Sequence, residues 1–360
     1  MMSMTTALLG KDLDPASRRI LRMALGTALA MWFCQAVGWT MSFICPVFAV
    51  VILSLPIPAP SFGGGVKFVA ALSLSVYAGL ALLPFLEYHR GVGTLLFSLA
   101  LFHSFYYVAR GGSPILGMFM TVGLTMVAAI GSVSIDALVG VAKGMTVGGF
   151  AGMGFVWLAH AILPDPPPDP SAAQKRPTPP PPPDARVAAR IALRSTMIVL
   201  PLAIWFLFSA SSATYAVIMI KVATMGPQAE AEKRREMGRS FIGSTVIGGV
   251  AAIVIWNILR IWPSLTLYSL LIGLMCLIMG PKIFAGRSLA SNGSTWSYGL
   301  LTALIIIAPA VTDSMGGDTA SASFSVRLSL FVFIAIYGTV VVRVFDAFWP
   351  DVQRRAEALA

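Results

Sequence analysis

Residues 66–86 read VKFVAALSLSVYAGLALLPFL. After Lys67 the stretch runs nineteen residues without a charge. At 1.5 Å per residue this makes a helix of roughly 30 Å, the thickness of a bilayer's hydrocarbon core. Apolar and polar residues do not alternate with period two, as they would in a strand of a membrane barrel. A helix pairs its own backbone groups, which is what lipid demands of a spanning segment. Runs of this kind recur along all 360 residues. Hydrophobic residues make up 57% of the chain, charged residues 11%, and the mean hydropathy is +0.82. A soluble domain carries roughly 25% charged residues. The composition therefore excludes a cytosolic enzyme, a secreted domain and a disordered chain. It predicts an all-α, polytopic helical membrane protein.

Twelve spans are expected. Six run over residues 20–37, 41–57, 66–86, 91–109, 114–132 and 137–162. Six more run over 189–209, 212–226, 240–259, 264–280, 295–312 and 324–346. The second and eighth are short and tightly joined to their predecessors. Basic residues on cytoplasmic loops set orientation. With both termini inside, nineteen of the twenty-five basic residues fall at the inner edge, among them Arg18, Arg19, Arg22, Arg186, Arg190 and the run Lys233-Arg234-Arg235. The outer loops hold Arg90 and Arg260. The net charge of +10 is thus a topology signal. Nucleic-acid binding would need those charges gathered on one soluble face.

The chain divides into residues 1–163, a linker over 164–184, and residues 185–360. The linker reads PDPPPDPSAAQKRPTPPPPPD, with eleven of the twenty-four prolines, and predicts a semi-rigid polyproline II spacer on the cytoplasmic side. The flanking halves echo each other in order. Arg22-Met23-Ala24-Leu25 matches Arg190-Ile191-Ala192-Leu193; Ser61-Phe62 matches Ser240-Phe241; Pro164-Asp165 matches Pro350-Asp351. Six spans is an even number, so the halves are expected to be parallel repeats, with substrate bound where they meet. The second half adds a mixed-charge stretch from Gln228 to Glu236, expected to be a short solvated helix.

Ionisable residues within spans are costly and mark functional candidates. Lys143 lies about seven residues into the sixth span, and Arg327 holds the corresponding place in the twelfth. A symmetric pair of cations suits a small organic anion. The alternative is that each cation snorkels or pairs with its own acid, Asp136 or Asp318. Lys221, in the eighth span, is a third candidate for the anion; with Arg194 it is expected to be able to snorkel to the inner interface. His103, mid-span in the fourth helix, is the candidate proton relay, with Asp136, Asp313 and Asp318 at the outer edge. His160, near the inner interface, is expected to be packed. No acid is expected at mid-membrane depth. Gly144, Gly148 and Gly152 give the sixth span a smooth face for close helix approach. Cys34, Cys45 and Cys276 fall within apolar runs and are expected as buried thiols. The chain has no P-loop, no HExxH, no metal cluster and no nucleophile–base set, so neither enzyme chemistry nor a cofactor is expected.

The arginine-led first span of each half, the cytoplasmic connector and the closing Pro164-Asp165 and Pro350-Asp351 resemble the fusaric-acid-resistance-like membrane proteins, which include bacterial aromatic acid exporters. The resemblance covers nearly the whole chain. It implies an inner-membrane protein that moves aromatic or other weak organic acids out of the cytoplasm, often with a periplasmic membrane-fusion partner. Many of those exporters carry a sizeable cytoplasmic domain, where this chain has its proline spacer. An ion gradient or a partner would supply the energy. An organic-anion channel and a non-transport membrane scaffold, alone or as a homo-oligomer in the lipid, are the other two readings. Flux that needs no coupling ion distinguishes the channel. Lys143 and Arg327 lining no cavity distinguishes the scaffold.

Overall fold

The computed structural model describes residues 13–39, 41–130, 135–165, 184–208, 221–222, 234–284, 290–314 and 320–348. Eleven helices run through these residues, besides the helical pair Lys221–Val222, with no strand among them. They are α1 Pro15–Val37, α2 Ile44–Leu53, α3 Phe62–Tyr88, α4 Arg90–Ala109, α5 Pro114–Ile130 and α6 Ile135–Ile162. Then come α7 Ala185–Phe208, α8 Arg234–Ile261, α9 Leu265–Ile283, α10 Ala290–Ser314 and α11 Ala320–Phe348. Nine are long and apolar enough to cross a membrane. Their outward faces expose Leu74, Leu95, Val250, Leu270, Ile278 and Val340. Contiguous apolar surface of this kind belongs in lipid, since soluble monomers seldom expose large apolar patches.

Local chemistry starts and stops the helices where the sequence changes. The Asp14 carboxylate accepts from the Ala16 N–H at 3.2 Å and Pro15 opens α1. An N-cap acceptor and a proline at the first position both suit a helix start. Gly38, at φ 69°, ends α1 in the left-handed conformation that glycine adopts at no steric cost. The Ser61 hydroxyl accepts from the Gly64 N–H at 3.1 Å and opens α3.

Helix α2 departs from the expected span over 41–57. It has ten residues, so it rises about 15 Å, half the hydrocarbon thickness. Nine of the ten are buried. A helix apolar all round belongs inside a bundle. Pro56, Pro58 and Pro60 follow it and keep the chain from continuing as helix. It lies on the glycine face of α6, as that face predicts. A Cβ at Gly152 would sit 2.7 Å from the Cys45 carbonyl oxygen, and one at Gly148 would sit 3.0 Å from Ile44. The three cysteines are free and buried.

Packing sets two groups of helices against each other. In the first, α3 packs on α4, α5 and α6, and α6 on α1 and α2. In the second, α8 packs on α9, α10 and α11, and α11 on α7. Across the divide, α1 runs along α9, and α7 runs along α4. Gly280 meets Ile20 and Gly273 meets Ala28, so small residues of α9 let α1 approach. One end of the bundle gathers the arginines. There the Arg22 guanidinium donates to the Leu163 carbonyl at 2.8 and 3.0 Å and pairs with Asp165 at 2.8 Å. Arg18 donates to the Pro164 carbonyl at 3.2 Å. The opening of α1 is thereby latched to the close of α6. The proline spacer over 166–183, the mixed-charge stretch up to Lys233 and most of the eighth expected span lie outside the described residues.

Candidate functional site

Lys221 is 2% exposed, inside the second group of helices. Its ammonium donates to the Thr302 hydroxyl of α10 at 2.9 Å and to the Ser244 hydroxyl of α8 at 3.4 Å. Thr302 stands midway along the apolar stretch Gly293–Val311. The charge therefore lies at the middle of a spanning helix, and Lys221 does not snorkel to the inner edge. The eighth expected span is described only at Lys221 and Val222, which are helical. An ammonium held at this depth costs about 3 kcal/mol or more, which neighbouring hydroxyls offset only in part.

The two helices that hold Lys221 approach closely because glycine faces glycine. A Cβ at Gly248 would sit 2.5 Å from the Gly299 carbonyl oxygen and 2.6 Å from Thr302. Closer to the arginine end, the Thr295 hydroxyl donates to Ser240 at 3.0 Å. Ser240 and Ser244 are four apart on α8; Thr295 and Thr302 are seven apart on α10. Each pair shares a helix face. Both spacings stand in the sequence, but a hydroxyl within an apolar run costs little in a helix and does not stand out, so this polar seam shows only in three dimensions.

One turn from Thr302 along α10, a cavity of about 280 Å³ opens between the two groups of helices. Its walls come from α2 (Val50, Val51), α5 (Met118) and α10 (Ser297, Tyr298, Leu301). The Tyr298 carbonyl accepts from the Thr302 hydroxyl at 2.7 Å, so the cavity wall and the Lys221 seat share a hydrogen-bonded turn.

The other expected residues are spread. Lys143 is exposed on α6 and lines a separate groove of about 340 Å³ with Trp39, Met41 and Ser42 from the α1–α2 turn. Arg327 is 5% exposed within the bundle. Equal places in the sequence have thus led to unequal surroundings, and Arg327 does not line the Lys143 groove. Asp136 is exposed in the first turn of α6 and does not pair with Lys143. His103 is exposed on the flank of α4, and its Nδ1–H donates to the Leu99 carbonyl at 2.8 Å. His160 is buried, as expected, with its Nδ1–H on the Val156 carbonyl at 2.8 Å. Asp318 lies outside the described residues, as does the side chain of Asp313.

Comparison with known proteins touches one part of this arrangement. Residues 19–157 match a family described as Protein of unknown function (DUF2955). The matched stretch runs from α1 into α6 and stops short of Lys221. No curated protein and no solved structure matches the chain.

Proposed function

We propose that this membrane protein is a transporter of organic anions, with Lys221 as its central cation. The observation that carries the reading is the seat of that ammonium, at mid-depth of a spanning helix, on two hydroxyls, one turn from a cavity between the helix groups. Buried charge inside a membrane marks a substrate or ion path by default. The reading extends to twelve spans in two parallel six-helix repeats. In its support, α3 packs on α4, α5 and α6 just as α8 packs on α9, α10 and α11, and the first helix of each group crosses to the other. The resemblance to aromatic acid exporters adds the direction and cargo: export of aromatic or other weak organic acids across a bacterial inner membrane, driven by an ion gradient. On this reading both termini lie in the cytoplasm with the arginine end, and a periplasmic membrane-fusion protein is the candidate partner.

Flux of labelled benzoate in proteoliposomes, with and without a pH gradient, tests it. Gradient-dependent flux that falls at least about tenfold in Lys221→Met is the expected result; tenfold corresponds to about 1.4 kcal/mol. Flux indifferent to the gradient would make the protein a channel. No flux in the parent, or full flux in Lys221→Met, would overturn the assignment of Lys221.

A further inference from the structure

At the end of the bundle opposite Arg22, a second cavity of about 420 Å³ opens between α1, α8, α9 and α10. Its size falls within the roughly 300–1,000 Å³ of small-molecule sites. The walls are mostly apolar: Trp256, Leu259, Leu265 and Val311. Trp256 is braced from behind by a parallel stack on Phe324, with ring centroids 5.4 Å apart. Four polar residues also line the cavity: Ser264, at the N-cap of α9, and three more. Arg260, at the close of α8, is exposed and makes no ion pair among the described residues. Tyr268 of α9 is 1% exposed, and its hydroxyl has no hydrogen-bond partner among the described residues. The Gln35 side-chain nitrogen of α1 is likewise sealed from solvent and unpartnered there.

A buried hydroxyl and a buried amide without partners are costly, and native structures seldom keep them without a reason. Here a cation, two hydroxyl-bearing residues and an amide line a mostly apolar cavity. All four can donate to oxygen, and the guanidinium brings the charge. The complementary ligand is an anion with one carboxylate and a compact apolar body.

We propose that this cavity is a binding site for an organic monocarboxylate. Arg260 is its counter-ion, the Tyr268 hydroxyl and the Gln35 amide donate to the carboxylate, and Trp256 and Leu259 cover the apolar body. The site is separate from the Lys221 seat. It deepens the transport reading by supplying an outer station for the cargo, and it rests on that reading only for the word station; the binding stands by itself.

Isothermal titration of the full chain in detergent micelles tests it, with benzoate as the anionic probe and benzamide as its neutral counterpart. Benzoate is expected to bind and benzamide not to. Arg260→Gln and Tyr268→Phe should each weaken benzoate about tenfold, the cost of a lost hydrogen bond to a charged group. Arg90→Gln, which removes a cation at the same end but on α4, should bind like the parent. Tyr268→Phe keeps the ring and its packing, so its effect reads the hydroxyl alone. Equal binding of benzamide, absence of benzoate binding at millimolar concentration, or unchanged binding in both site variants would overturn the proposal. Binding without flux in the parent would leave the site and remove the transport reading. Flux without binding here would do the reverse.

Discussion

The two groups of helices are built alike and filled differently. In the first, the short helix α2 faces α5 with an aromatic stack: Phe48 lies on Phe119 at 4.4 Å, with the rings 3° from parallel. Its neighbours there are Val47, Leu72 and Val122. In the second, the helical residue Lys221 reaches α10 with a charge, and hydroxyls of α8 and α10 receive it. One junction is closed by dispersion and burial among apolar side chains, Leu301 of α10 included. The other keeps a cation where an anion would stabilise it further. On the transport reading, the first group is the frame and the second carries the chemistry.

The comparison can be broken at both junctions. The largest effect is expected from Gly248→Leu, which drives a side chain into the Gly299 backbone and separates the two helices that hold Lys221. Overpacking a close backbone contact should cost about 3 kcal/mol or more, read as loss of the monodisperse peak in size-exclusion chromatography. Phe48→Ala should come next. It removes the stack and leaves a cavity, for about 3 kcal/mol, measured by thermal unfolding in detergent. If Phe48→Ala also abolished flux while Lys221→Met did not, the assignment of frame and chemistry would be reversed.

Lys221→Met sharpens the contrast, because it makes the second junction as apolar as the first. Replacing a buried charge with an apolar residue of similar length is often neutral or stabilising. The midpoint of thermal unfolding should therefore hold or rise while flux is lost. A large drop in stability would instead give Lys221 a structural role. The arginine latch supplies a smaller effect. Arg22→Ala removes a buried guanidinium from two carbonyl bonds and Asp165, and should cost about 2 kcal/mol. Arg190, its sequence counterpart at the start of α7, is exposed. Arg190→Ala should cost less than about 1 kcal/mol, as exposed charges do. Equal losses in the same unfolding assay would extend the correspondence between the halves to the latch.

Much of the fold could be read from the chain, because lipid imposes a simple pattern. Long uncharged runs became helices, and the Gly148/Gly152 face became a close contact. The partner of that face could not be named in advance, since closeness between α2 and α6 depends on residues some hundred positions apart. The same distance hid the latch. Arg22 and Pro164-Asp165 stood out as separate marks of a repeat, and the structure joins them in one contact. The length of α2 was misjudged because apolar residues continue through Leu55 and Ile57, although the alternating prolines beyond Leu55 carried the signal. For the candidate site, Lys221 stood out as an ionisable residue within an apolar run, but its depth did not. A lysine stem can reach either an interface or an interior partner, and only the three-dimensional placing of Ser244 and Thr302 decides between them. His103 was legible in position along its helix but not in direction, which packing alone determines.

The short α2 has an electrical consequence. Its first residue, Ile44, meets α6 at Gly148, thirteen residues from the start of that helix at Ile135, or about 20 Å along its axis. Above that level the α1–α2 turn leaves a groove in which Lys143 is open to its surroundings. Water that enters the groove carries the potential of that side down to the turn. A voltage that would otherwise fall across roughly 30 Å of hydrocarbon then falls across a thinner septum. The field inside that septum steepens, and a charge crossing it takes up its roughly 2.3 kcal/mol per 100 mV over a shorter path.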